Sequence, residues 1–231
     1  PAGKKVYDVF DLDVTSTSPT PILLTVTGTP GIATLGGSAG KTVTIHGAGT
    51  VTITASQSAT SNYFVAPTIT KTFTTAKIPV DIALVYPANT VYDGSAKVVT
   101  YTADYPVPSA SVLVTYAGLP TPPTDAGVYA IDALITDVGY AGNRAGTMTI
   151  TKASQTVTFT PTATQTMNQE AVLSASGSQG AVTFSVVGGV ATIDQATNRI
   201  TYTTPGTVRI RATAAETVNY NAVSVERDVS S

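Results

Sequence analysis

"GTVTITA" (Gly49–Ala55) and "GTVRIRA" (Gly206–Ala212) are one strand written twice. A glycine opens each copy, and Val51, Ile53 and Ala55, or Val208, Ile210 and Ala212, then fall on every second residue. A period of two marks a β-strand with one buried face, because successive side chains point to opposite sides of a pleated sheet. The copies share Val and Ile, whereas Thr52 and Thr54 of the first become Arg209 and Arg211 of the second. A close-packed interior tolerates little change of volume. The shared set is therefore assigned to a core and the drifting set to water, where Thr and Arg are nearly interchangeable.

Outward from this strand the match continues in both directions. "GIATL" (Gly31–Leu35) corresponds to "GVATI" (Gly189–Ile193), and "SQSATSNYFVA" (Ser56–Ala66) to "TAAETVNYNAV" (Thr213–Val223). Spacing is constant from Gly49 and Gly206 through Asn62-Tyr63 and Asn219-Tyr220, so one unit is duplicated. Between the copies lies differently worded sequence, from "AKIPVDIALVYP" (Ala76–Pro87) to "GTMTITKASQ" (Gly146–Gln155). Boundaries near Lys77 and Lys152 give three domains, 1–76, 77–152 and 153–231, each long enough for about seven short strands. Alternation in "VVTYTA" (Val98–Ala103), "SVLVTYAG" (Ser111–Gly118) and "GVYAIDALI" (Gly127–Ile135) makes the middle one all-β as well. Pro120, Pro122 and Pro123 cluster in one connection, where their missing amide donors do no harm. The expectation is an all-β chain of three tandem antiparallel β-sandwiches arranged end to end.

Composition agrees and excludes several functions. Charged residues make up 11% of the 231, well below the roughly 25% of ordinary soluble domains, and Thr, Ser, Ala, Val and Gly take their place. Net charge is −2 and no basic cluster exceeds the pair Lys4-Lys5, so neither nucleic acid nor anionic lipid is expected as a partner. Cysteine is absent, which removes disulfides and thiolate metal sites. No apolar run approaches the roughly 18 residues of a membrane span, so no membrane insertion is expected. The opening "PAGKK" has neither an initiating Met nor a signal-peptide core, and the segment reads as an excised piece of a longer chain.

With "KASQTVTF", "GVATI" and "GTVRIRATAAETVNYNAVSVERDV" in the last domain, and counterparts in the first, the outer domains resemble bacterial Ig-like domains of long surface and secreted proteins. The middle domain, with "YDGSAKVVTY", "VTYAG", "PTDAGVYAIDALI", "GYAG" and "GTMTITKA", resembles the MBG domains of similar proteins. Residues 1–22 fit least well. The resemblance implies Ig-like sandwiches in an extracellular, adhesin-like bacterial protein, a structural spacer without catalysis or cofactor. A carbohydrate- or protein-binding adhesive module and an accessory region of a secreted polysaccharide hydrolase are the alternatives, with glycan or a host-surface protein as the partner. It supplies no ligand residue to transfer.

Candidate chemistry is sparse. His46, the only histidine, would have to serve any Ser-His-Asp or zinc arrangement, but it ends a strand before a Gly turn and reads as a surface residue. Asp8, Asp11 and Asp13 form an acidic group that calcium would favour; the competing reading is a charged edge strand that discourages edge pairing. Asp93 and Asp125 precede glycines in turns and are expected to hold them. Tyr63 and Tyr220 sit in matched loops and read as packing residues, with ligand stacking the alternative. Tyr92, Tyr101, Tyr105, Tyr116, Tyr129 and Tyr140 make the middle domain tyrosine-rich, the basis for a shallow sugar platform. The resemblance to Ig-like stalks also raises Lys–Asn or Thr–Gln crosslinks, for which Lys71, Lys97 and Gln155 are the available groups.

Overall fold

The computed structural model describes residues 3–107 and 111–230, so the end of the Asp104–Ala110 connection lies outside the described residues. Among them the chain is all-β, with a 3-10 turn at Ser38–Gly40 and no α-helix. Chain contacts group it into two units. The first comprises Pro1–Val85, Thr100–Pro120 and Ile131–Gly146; the second comprises Tyr86–Val99, Thr121–Ala130 and Thr147–Ser231.

In the first unit, Val9–Asp11, Thr42–Ile45 and Ala33–Gly36 form one antiparallel sheet in that order, and Leu23–Gly28, Gly49–Gln57 and Ala66–Thr75 form another. Val43 and Ile45 from the former and Val51, Ile53 and Phe73 from the latter belong to one buried cluster with Ile32. Two sheets closing on one core make a sandwich. The unit also holds the antiparallel pair of Ile82–Val85 with Thr100–Ala103, and Val112–Tyr116 paired with residues 131–135 of the strand Gly127–Ile135. Their inward residues Ile82, Ala133 and Ile135 share a second core with Val80 and Tyr140.

In the second unit the duplicated domain repeats the arrangement. Glu170–Val172, Arg199–Tyr202 and Ala191–Asp194 form one antiparallel sheet, and Val182–Gly188, Thr207–Ala214 and Val223–Ser230 the other. Phe159, Phe184, Ile200, Tyr202, Val208, Ile210 and Val229 fill the space between. The rings of Phe159 and Phe184 lie 5.3 Å apart.

The deciding strand behaves as its alternation requires: Val51, Ile53, Val208 and Ile210 are 0, 6, 1 and 0% exposed. The water-facing residues do not drift independently, however. Thr52 and Thr54 meet the hydroxyls of Thr72 and Thr70 at 3.1 and 3.4 Å across the sheet. In the second copy Arg209 makes a two-pronged pair with Asp228 at 2.8 and 3.0 Å, and Arg211 pairs with Glu226 at 2.6 Å. The unit of exchange is thus a cross-strand pair, hydroxyl ladder for ion-pair ladder, which corrects the expectation that Thr and Arg swap freely.

The copies also differ by one residue. An irregularity between Ala55 and Gln57 shifts the pairing with the next strand, so Val51 faces Phe73 where Val208 faces Val229. Constant spacing would have mapped Phe73 onto Ser230 instead. A buried glutamine closes each domain, from a different place in the chain. Gln57 accepts from Ser16 Oγ at 2.7 Å and donates to the carbonyls of Ser18 and Thr20. Gln155 accepts from the amides of Gln179 and Gly180 and donates to the carbonyls of Ala215 and Asn221.

Candidate functional site

The duplicated loop after the deciding strand builds one turn twice. In "TVNY", Thr217 N–H donates to Tyr220 O at 2.9 Å, and Thr217 Oγ1 accepts from the amides of Asn219 and Tyr220 at 3.2 and 3.1 Å. In "TSNY", Thr60 N–H donates to Tyr63 O at 2.8 Å and Thr60 Oγ1 accepts from Asn62 N–H at 3.3 Å. A threonine hydroxyl capping its own chain two residues on is a local preference, so the sequence sets this turn without tertiary help.

Within the second unit the turn is a clasp. Asn219 Oδ1 accepts the Ala126 amide at 2.8 Å, and its Nδ2 donates to Asp125 Oδ1 at 3.0 Å. The backbone carbonyl of Asn219 accepts from Ala153 N–H at 2.8 Å, and Asn221 N–H donates back to Ala153 O at 2.9 Å. Tyr220 sets its ring edge-on to Tyr92, with centroids 5.4 Å apart at 76°, a geometry favoured by opposed ring quadrupoles. Lys152 and Glu216 add an exposed pair at 3.4 Å, which contributes little in water. Chain entry is fixed as well, since Tyr92 and Thr151 exchange backbone hydrogen bonds with each other's strand (Tyr92 N–H to Thr151 O, Thr151 N–H to Thr90 O, both 2.9 Å).

The first unit holds a second clasp, built differently. Tyr140 lies between Tyr7 and Tyr105, with both centroid distances 5.5 Å. Asp137 accepts from the amide of Gly139 at 2.7 Å, Ser111 Oγ at 3.2 Å and Tyr7 Oη at 3.3 Å. The Gly139 amide above all holds the Asp137 carboxyl below its ordinary range, while burial first and the Asp137 charge second push the Tyr7 phenol up. Ala48 N–H donates to Val138 O at 3.1 Å and Lys77 Nζ to Asp137 O at 2.7 Å. Tyr7 adopts a left-handed backbone at φ 68°, a conformation that non-glycine residues rarely take.

The candidate residues separate along these lines. Tyr92 and Tyr129 stand in the second unit, Tyr101, Tyr105, Tyr116 and Tyr140 in the first; Tyr116 is 4% exposed and Tyr129 Oη donates to Asp125 O at 2.9 Å. Asp93 holds its turn through the Ser95 amide at 2.9 Å, as expected, and also accepts from Lys97 Nζ at 2.7 Å. That contact to a buried ammonium is the main reason the Asp93 carboxyl titrates low. Asn89 Nδ2 reaches the same Asp93 oxygen at 3.0 Å. His46 is exposed, its Nε2 2.8 Å from Thr34 Oγ1.

Asp8 accepts the Lys5 amide and Asp11 accepts from Thr42 Oγ1 at 2.6 Å, so these acids serve their own strands. Among the described residues no three His, Cys, Asp or Glu side chains gather for a metal ion, and the calcium reading of Asp8, Asp11 and Asp13 loses its geometry. Asp11, Asp13 and Lys71 instead line an open groove of about 470 Å³ whose floor includes Phe10, Ile53 and Ile69. The ammonium of Lys4 sits 4.2 Å from the Phe10 ring centre there. The role of Asn219 escaped the sequence reading, although the "NY" shared by both loops was its visible signal.

Residues 84–154 match the family model described as MBG domain. The matched span includes Tyr92, Asp125, Ala126 and Ala153, so the clasp grips an MBG-type domain. No curated protein matches the chain. Among solved structures the chain is similar to the human Desmocollin-1 ectodomain, at 11% identity and a TM-score of 0.29, covering 100% of this chain and 58% of that one. It is also similar to a SusE-like, surface-located polysaccharide-binding protein from the Bacteroides thetaiotaomicron heparin utilisation locus, at 14% identity and a TM-score of 0.27, covering 92% of this chain and 43% of that one.

Proposed function

We propose that this segment is a structural spacer of an extracellular, adhesin-like bacterial protein, in which two Ig-like domains and an MBG-type domain follow one another end to end and none carries catalysis. The observation that carries the reading is the pair of clasps. At the change from one domain to the next the chain enters strand-like pairing directly: Ile78-Pro79 runs beside Tyr140-Ala141, and Ala153 pairs with Tyr220. Aromatic packing and carboxylate-anchored turns flank both places. A flexible binding module has no need of such junctions, whereas a spacer must resist bending at every joint.

The alternative is an adhesive module that binds carbohydrate or protein. The open groove around Lys4, Phe10 and Ile69 favours it, because concave apolar surface with a few charges suits a ligand. A glycan array and a pull-down from host-surface extracts, both with the full 231-residue chain, separate the two readings. Silence in both is expected for a spacer; saturable binding lost on Phe10→Ala would replace it with the adhesive reading.

A further inference from the structure

The two outer sandwiches enter their first edge strand by the same path. Tyr7 and Asn168 both take a left-handed backbone, at φ 68° and 56°. Tyr7 N–H donates to Ile45 O at 3.1 Å and Asn168 N–H to Tyr202 O at 2.9 Å; Asp8 N–H closes a turn on Lys5 O as Gln169 N–H does on Thr166 O. Leu12 and Leu173 then donate their amides to Lys41 O and Asn198 O. Residues 5–12 therefore correspond to 166–173 one for one, which carries Lys4 onto Gln165 and the step Val14-Thr15 onto Ala175-Ser176.

Ahead of this turn the last domain has a further strand. Thr158-Phe159 pairs antiparallel with Ala175-Ser176, Thr164 runs parallel beside Ser230, and Phe159 is buried in the core. Leu173, Phe184 and Ala212 share that core and are 4, 4 and 0% exposed. Strand register matches them to Leu12, Leu24 and Ala55, which are only half-buried, and matches the half-buried Val225 to Ile69, which is 60% exposed. Leu12, Leu24, Ala55 and Ile69 all line the open groove, so the groove lies where the other copy seats Phe159. The step Val14-Thr15 belongs to no strand, and Val14 O accepts from Lys41 Nζ at 3.4 Å.

We infer that this groove takes a β-strand from the polypeptide joined directly ahead of Pro1, six residues in the pattern of Thr156–Pro161, with an aromatic side chain three residues ahead of Pro1 in the place of Phe159. Strand addition supplies backbone partners to Val14-Thr15 and lays alternate apolar side chains on Leu24 and Ile53. The source is the same chain, because Lys4 lines the groove and the turn Lys5–Asp8 delivers the preceding chain there as Thr166–Gln169 does in the last domain. Gln57 sets the length. It donates to Thr20 O where Gln155 accepts from the amide of the matching Gly180, so the place of Gln155 is already filled and the strand begins after it. The inference does not depend on the spacer reading, and it takes the groove out of the adhesive alternative.

The test joins a copy of Thr156–Pro161 ahead of Pro1 in the full chain and follows amide exchange by residue. Exchange across residues 13–16 is expected to slow on the order of tenfold or more, and the urea midpoint read at Val43 to rise. Changing the copied Phe159 to Asp is expected to cancel both, with the Ile200 amide of the last domain unmoved as the control. Unchanged exchange across 13–16, or a Val43 amide that loses its protection, overturns the inference. Protection that grows with chain concentration, in step with a dimer on size-exclusion chromatography, gives the groove to a strand of another molecule and overturns the in-chain occupant. The chain has no cysteine, so a disulfide reports the register cleanly. Thr158 faces Ser176 across the sheet, a separation a disulfide spans. Thr15→Cys with the copied Thr158 changed to Cys is therefore expected to oxidise to a crosslink; no crosslink, or one formed equally fast from the copied Val157, contradicts the placement.

Discussion

Ile53 and Ile210 occupy the same place in the duplicated strand, so replacing each by Ala separates what sequence shares from what packing adds. Ile210 is 0% exposed and closed in by the cluster of Phe159, Phe184, Tyr202 and Val229. Truncation there removes three carbons and leaves a sealed void. Such changes cost about 2–5 kcal/mol, rising with the cavity that remains, and the enclosed site belongs near about 4 kcal/mol on that scale. Ile53 is 6% exposed and lines the open groove with Leu24, Ala55 and Ile69. The groove is open to water on that side, so the same truncation seals no void and belongs near about 2 kcal/mol. Urea titrations of the full chain, read at the amides of Ile200 and Val43 by NMR, report each domain separately. In a domain of this size the difference of about 2 kcal/mol separates the two melting decrements by roughly 8–16 °C. Equal costs at the two sites, or a larger cost at Ile53, would refute the claim that the groove leaves the first core incompletely closed.

Ile210→Asp is expected to unfold its own domain, because an unpaired carboxylate in a core is costly, while the Val43 amide keeps its protection; simultaneous loss at both amides would show that the domains fold as one. Gly189→Ala is expected to cost about 2 kcal/mol or more in a denaturant titration, since Gly189 sits at φ +77° and a Cβ would lie 2.4 Å from the Thr207 carbonyl oxygen. The Asp93 carboxyl is held low in the fold, chiefly by Lys97. Its contribution is therefore full above the unfolded value of about 3.9 and disappears as pH falls through the folded value. Melting temperatures between pH 5 and pH 2 should fall less steeply for Asp93→Asn than for the parent.

What was legible in the sequence is what repeats. Alternation at Val51, Ile53, Val208 and Ile210 specified strand, face and duplication, because period two and burial are local in origin. The turn at Asp93 was readable for the same reason: a side chain caps its own backbone within a few residues. Partners distant in sequence were not. The Arg209–Asp228 pair depends on a register that a one-residue irregularity near Ala55 changes between copies. The Asn219–Asp125 clasp joins residues far apart in the chain, and the three aspartates near the N-terminus, readable in sequence as a calcium group or as a charged edge strand, were separated only by the fold, which gives Asp8 and Asp11 different hydrogen-bond partners.

The proposal of serial domains held end to end meets its most direct test in small-angle X-ray scattering of the full chain. Three such domains in line make a rod on the order of 100 Å, from seven-residue strands rising about 3.3 Å per residue with their loops, and a thin rod of that length has a radius of gyration of about 29 Å. A pair-distance distribution with a long tail to that length is the predicted result. A symmetric distribution with a radius of gyration of about 17 Å, the value for one compact body of this chain length, would contradict it.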